Sequence, residues 1–225
     1  MKRRRFTVCL FLIASLGASE PLVAQIDAPR FLDFGIKGGL SLPTFFWTGD
    51  DSWNQVTYFA VQGEAYAFAC ANLNPRFGIE IDAGYHGKGC SVDASDGYVH
   101  WYMDYFEVPV WAKWSARVGR KLSVYGGIGG YAAWFLGGRY DFSTGVSGLD
   151  GSGSLSGGTA DDPTVVRPQD YGVLLVGGVQ TGGVIFELRF SVSVVPSLEF
   201  TPPPDFGDAR GSLNSGIDLL IGYSI

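Results

Sequence analysis

Little in this 225-residue chain is suited to holding a metal or attacking a substrate: it has three cysteines, two histidines and two methionines. No Cys/His set has the spacing of a zinc site. No glycine-rich loop ends in Lys-Ser or Lys-Thr to cradle a phosphate, and no calcium-loop pattern occurs. Gly84-Tyr-His-Gly-Lys88 only imitates a phosphate loop. No Gly-x-Ser-x-Gly sets a nucleophile on a sharp turn. These absences leave no catalytic, cofactor-binding or metal residues to nominate. Beyond the N-terminal stretch no apolar run approaches eighteen residues, so no transmembrane helix is expected. Positive charge is scarce too: the formal net charge is −6, which argues against nucleic acid as a partner.

What the chain has in quantity is glycine (33 residues) and aromatic side chains (15%). Many short strands joined by glycine-rich turns account for that better than helices do. The N-terminus reads as a secretory signal peptide over residues 1–24. Lys2 to Arg5 are basic, 6–16 are apolar, and small residues lead to a cleavage site before Gln25. Residues 25–225 then form one domain. Its formal charge is −9, because the leader carries four basic residues and one acid.

The last stretch, 213–225, sets the pattern. Ile217, Leu219, Ile221, Tyr223 and Ile225 share one parity; Gly216, Asp218, Gly222 and Ser224 share the other. In a strand each parity is one face. Seven earlier segments read the same way, at about 33–42, 57–69, 77–88, 101–114, 122–140, 170–180 and 184–195. The third is the clearest: Phe77, Ile79, Ile81, Ala83 and Tyr85 alternate with Gly78, Glu80, Asp82, Gly84, His86 and Lys88. Connections after the odd strands are long (43–54, 89–99, 142–169, 196–212); those after the even strands are short. Cys70 falls at the short-turn end of one strand and Cys90 at the far end of the next. That is about 30 Å of strand, which excludes a disulfide between them.

The two faces carry unequal chemistry. One holds Lys37, Glu64, Glu80, Asp82, His86, Lys88, Glu107, Lys113, Glu187, Arg189 and Asp218, and the fifth strand adds Tyr125, Tyr131 and Arg139 to it. The other is almost free of charge through its middle. A soluble barrel would bury the apolar face and show the charged one. The reverse is expected where lipid is the outer solvent, with closure of the last strand on the first removing every open edge. The expected fold is therefore all-β, an eight-stranded antiparallel up-and-down transmembrane β-barrel in an outer membrane, with long external loops and short periplasmic turns. Two aromatic belts are expected: Phe45, Trp47, Phe59, Tyr85, Tyr102, Phe106, Trp134, Tyr140 and Tyr171 near the long loops, and Phe77, Trp114 and Tyr223 near the short turns. Eight strands leave a lumen that side chains fill. Glu107, Lys113, Glu187 and Arg189 are expected to neutralise one another there, with no open pore.

Phe34-Gly-Ile-Lys-Gly-Gly-Leu40, Phe77-Gly-Ile-Glu-Ile81, Tyr105-Phe-Glu-Val-Pro-Val110, Tyr125-Gly-Gly-Ile-Gly129 with Tyr131-Ala132, Asp170-Tyr-Gly-Val173, Phe186-Glu-Leu-Arg-Phe190 and Ile221-Gly-Tyr-Ser224 occur in this order. Together they resemble the PorT-like outer-membrane β-barrel family of Gram-negative bacteria. The resemblance implies an integral outer-membrane protein with no uniform enzymatic activity; one branch of the family takes part in protein secretion. The final strand resembles the assembly signal of such barrels, with Asn214, Gly216, Leu219, Ile221, Tyr223 and Ile225 in register, although Ile225 stands where a terminal aromatic is usual. The expected partners are outer-membrane lipid, the barrel-assembly machinery and a protein met through the external loops, with no cofactor. Two rival readings stand beside this one. The first is a rim enzyme acting on lipid or peptide, using His86 or His100 with Ser91 or Asp93. The second is a secreted soluble barrel binding a small ligand.

Overall fold

The computed structural model describes residues 31–48, 54–94, 97–119, 121–143, 150–158, 165–197 and 211–225. The expected signal peptide and its cleavage site lie outside these residues, as do Trp53 and Pro202 to Pro204. Among the described residues eight long strands form a closed ring. They are β1 (Leu32–Thr48), β3 (Gln62–Asn72), β4 (Phe77–Ala94), β5 (Gly97–Val118), β6 (Leu122–Ser143), β9 (Gln169–Thr181), β10 (Val184–Ser193) and β11 (Gly211–Ser224). Each pairs antiparallel with its neighbours. β1 meets β11 from Gly35↔Ser224 to Thr48↔Gly211, so no long edge is left unpaired. Short β2 (Thr57–Tyr58), β7 (Gly151–Gly157) and β8 (Val165–Val166) extend the sheet at one end.

The opposite end carries the tight turns. Gly182 and Gly183 join β9 to β10 with φ of +56° and +89°, the pair of positive angles that a two-residue hairpin needs. Asn74 closes the β3–β4 turn by accepting backbone N–H groups of Arg76 and Phe77 at 2.9 and 3.0 Å.

Several expected loops are strand. β1 runs past Pro43 to Thr48. The Pro43 carbonyl accepts from Ala60, so its missing N–H faces the side where the β1–β3 ladder has already ended at Ser41. The segment expected as one strand over 57–69 breaks into β2 and β3. Residues 89–94 and 97–99, expected as loop, continue the β4–β5 ladder as far as Ala94↔Gly97. Gly89, at φ +140°, permits this: a Cβ there would lie 2.0 Å from the Trp101 carbonyl oxygen. Within 142–169, β7 pairs with the outer end of β6 and β8 runs parallel to β7.

Alternation sorts side chains into two environments. Phe34, Ile36, Leu40, Phe77, Ile79, Ile81, Val110, Ile128, Leu175, Leu188 and Leu219 point out and are exposed. The expected charged face points in and is buried. Three expected belt residues do not face out. Phe45 and Trp47 are buried with Trp101 in a cap across the outer end of the lumen, and Tyr140 packs against that cluster. Arg139 is corrected the other way. A register shift beside Asp104 and Tyr105 leaves Leu136 unpaired on β6. The extra residue reverses the parity beyond it. Arg139 therefore lies outside, with its guanidinium 4.6 Å from the Tyr102 ring centre.

Candidate functional site

The inward side chains meet in two charged layers beneath the aromatic cap. The layer nearer the short turns holds three bases and three acids. Lys37 contacts Glu80, Glu187 at 3.0 Å and Asp82 at 3.5 Å. Lys113 reaches Glu80 at 2.8 Å. Arg189 donates Nε to Glu187 at 2.7 Å and Nη2 to Asp82 at 2.5 Å. Tyr125 donates to Glu187 at 2.8 Å. The cations also sit over ring faces, Lys113 at 4.3 Å from Tyr125 and Arg189 at 5.0 Å from Tyr66. Ions removed from water persist only when paired and hydrogen-bonded in this way.

The layer nearer the cap is not balanced. Lys88 bridges Glu107 and Asp170, at 2.8 Å each. Asp170 also accepts from Ser193 at 2.7 Å, and Tyr131 lies 2.9 Å from Ser193. Asn214 donates to Asp170 at 3.3 Å and contacts Ser197. His86 lies between two acids: its Nδ1 faces Glu107 Oε2 at 3.1 Å, bent from the hydrogen-bond line, and its Nε2 is 3.0 Å from Ser41 Oγ and 3.5 Å from Asp218 Oδ1. Ser41 donates to Asp218 at 2.7 Å. Glu64 lies beside them, with neither carboxylate oxygen hydrogen-bonded.

The residues nominated from the sequence thus come together, but with other partners. Of the four expected to neutralise one another only Glu187 and Arg189 touch; Lys113 takes Glu80 and Glu107 takes Lys88. Asp170, Ser41, Tyr66 and Ser193 were missed. Asp170 was legible in principle, because it shares parity with Gly172 and Leu174 and so points inward with them. Of the nominated assembly-signal residues, Asn214 faces the lumen, while Leu219, Ile221, Tyr223 and Ile225 are exposed on the outside. Cys70 and Cys90 are free, buried thiols. Burial pushes the thiol of Cys90, which lies in the outer extension of β4, well above its ordinary pKa.

Two arrangements invite a catalytic reading. Ser41–His86–Glu107 has the connectivity of a nucleophile, base and orienting acid. Yet Ser41 is 0% exposed beneath the cap, and its proton lies on Asp218. At the rim His100 Nε2 is 3.9 Å from Asp93, and Ser91 donates to Asp93 at 3.4 Å. There the carboxylate sits between serine and imidazole, so the hydroxyl faces Asp93 and not the imidazole.

A family model described as "Outer membrane protein beta-barrel domain" matches residues 23–199. No curated protein matches the chain. Among solved structures the fold is similar to Ail, the attachment invasion locus protein of Yersinia pestis. That pair shares 13% identity and a TM-score of 0.40, over 86% of this chain and 99% of that one. It is also similar to OprG of Pseudomonas aeruginosa, at 12% identity and TM-score 0.45 over 86% and 95% of the two chains. Neisserial surface protein A gives 8% identity and TM-score 0.41 over 84% and 96%.

Proposed function

This chain belongs to the outer membrane protein beta-barrel domain family, and from that membership we propose a closed, non-enzymatic barrel that works through its outer end. It is an integral outer-membrane protein. The observation that carries the proposal is the filling of the lumen. Trp111, Tyr105, Phe45 and Met103 are fully buried inside the ring, with Trp111 level with the ion-paired layer of Lys37, Glu80, Asp82 and Glu187 and its ring 5.5 Å from Lys37 Nζ. Side chains packed and paired in this way leave no continuous water path. Purified protein in planar bilayers is expected to give no stable conductance; a steady ohmic current would overturn the closed-lumen reading.

The outer end is then the surface available to a partner, since recognition concentrates on loops and extensions held by a rigid scaffold. There β4, β5, β6 and β7 rise beyond the ring as a sheet carrying Tyr98, His100, Tyr102 and Arg139, with Tyr98 and His100 stacked at 4.6 Å between ring centres. The strand motifs support a PorT-like branch of the family. A part in protein secretion, which that resemblance implies for one branch, would run through this same surface. Its orientation is open to direct measurement. Both thiols among the described residues, Cys70 and Cys90, are buried, so with the leader removed a membrane-impermeant maleimide is expected to leave intact cells carrying the wild type unlabelled. It is expected to label Tyr98→Cys fully. Labelling of Tyr98→Cys only after the cells are broken would put this sheet on the periplasmic side.

A further inference from the structure

We propose that Glu64, His86 and Asp218 form a binding site for a divalent transition-metal ion, of which zinc is the test case. One donor atom from each residue lies within 4.8 Å of the others, and all three residues are buried. An imidazole nitrogen with two carboxylate oxygens is a donor set that zinc accepts.

Three independent features point to a cation at this position. The first is Glu64 itself. It is 5% exposed, yet neither of its oxygens has a hydrogen-bond partner, and no Lys or Arg forms an ion pair with it among the described residues. A buried carboxylate in that condition is costly unless something charged or protonated meets it. The second is the charge of the layer. Among the described residues, Glu64, Glu107, Asp170 and Asp218 have ion-pair contacts only with Lys88 and His86, whereas the lower layer balances three acids with three bases. With His86 neutral, as a ligand must be, that layer carries an excess of three negative charges, and a dication reduces it to one. The third is the far side of His86. Its Nδ1 faces Glu107, while Nε2 lies 3.0 Å from Ser41 Oγ and 3.5 Å from Asp218 Oδ1. Imidazoles that ligate a metal through one nitrogen characteristically direct the other N–H to a carboxylate, which fixes the tautomer and the ring plane. Ser41 holds the Asp218 carboxylate in the same supporting way.

The geometry needs a contraction around one point. Donors around tetrahedral zinc lie about 3.3 Å apart, and His86 Nε2 and Asp218 Oδ1 are already 3.5 Å apart. The three donors, now within 4.8 Å of one another, have to draw in to that spacing, and Ser41 Oγ, 3.0 Å from Nε2, has to give way to the ion. The rival explanation is Arg189, whose Nη1 is also without a partner. If Arg189 swings onto Glu64, the site is occupied by protein and binds no metal. The aromatic cap covers the position, so loading accompanies barrel folding rather than following it.

The test is zinc content after folding. The protein is purified in detergent, refolded with or without zinc chloride, dialysed, and assayed for metal and for heat-modifiable gel mobility. The wild type is expected to retain one zinc per chain and to unfold at higher temperature for it. Glu64→Gln and Asp218→Asn are each expected to weaken retention at least tenfold while keeping the folded band. Asp93→Asn, an exposed acid at the rim, should leave retention unchanged. A folded wild type that retains no zinc overturns the proposal in favour of the Arg189 closure. Equal retention by the wild type and Asp218→Asn overturns it too, by placing the metal elsewhere. If Glu64→Gln does not fold, the wild type and Asp218→Asn still decide.

Discussion

Replacing Lys37 by Met is expected to cost about 3–5 kcal/mol of folding stability, the range for breaking a buried ion pair from one side. Among the described residues Lys37 is the one cation that touches Glu80, Asp82 and Glu187 together. Methionine keeps most of its length and removes its charge. Asp82 and Glu187 then share Arg189 alone, and Glu80 keeps only Lys113. The check is equilibrium urea unfolding in lipid vesicles, followed by tryptophan fluorescence. A second variant separates lost attraction from lost packing. Lys37→Met with Asp82→Asn removes one charge of each sign and leaves the pairs Lys113–Glu80 and Arg189–Glu187 intact, so the layer is neutral again. The double variant is expected to recover more than half of the loss, because the penalty lies mainly in the carboxylate left unpaired. A loss below about 1 kcal/mol for Lys37→Met would mean that water reaches this layer and screens it, which is the magnitude of an exposed pair. The closed-lumen reading would fall with it.

The middle of the barrel was legible and its outer end was not, for one physical reason. Where one face meets lipid and the other meets the lumen, each strand alternates strictly, as Ile79 and Ile81 do with Glu80 and Asp82. Beyond the lipid-facing band the outer face of the sheet meets water and the inner face meets the aromatic cap or water, so the apolar-out, polar-in alternation fades. Ser91, Val92 and Asp93 therefore read as loop, although they pair with His100, Val99 and Tyr98. The same loss hid β7, whose residues are almost all glycine and serine. Arg139 was misplaced by a single unpaired residue at Leu136; a bulge of that kind changes no local pattern, only the count.

Membership of the charged site was legible, whereas its wiring was not. Parity alone places Lys37, Glu80, Lys113 and Glu187 inside. Which acid meets which base depends on how far each strand is staggered against the next, and that shear is a property of the closed ring. Glu80 thus pairs with a lysine on β5 and another on β1, neither adjacent in sequence. The missing partner of Glu64 has the same origin, since it depends on where Arg189 and Lys88 spend their hydrogen bonds.

The inverted polarity of the barrel makes a second large prediction, at Ile81. This side chain is 45% exposed on the outer face of β4, midway between Phe77 near the short turns and Tyr85 near the outer end. Those two aromatics are separated by about 27 Å of strand, which at a tilt of about 40° covers about 20 Å of the ~25 Å apolar band of an outer-membrane barrel. Ile81→Arg is expected to cost about 2–4 kcal/mol in lipid, the penalty for arginine at the midplane on the lipid face, and Phe77→Arg about 0–1 kcal/mol near the interface. The same urea titration in vesicles reads both. The depth dependence matters more than either value. In a soluble barrel both positions would face water and both changes would cost little; in a lipid-facing barrel the cost must peak at Ile81. Two neutral results would therefore reverse the faces of the sheet. Ile81 would then be solvent-exposed, and the layer of Lys37, Glu80 and Arg189 would become the core of a soluble ligand-binding barrel.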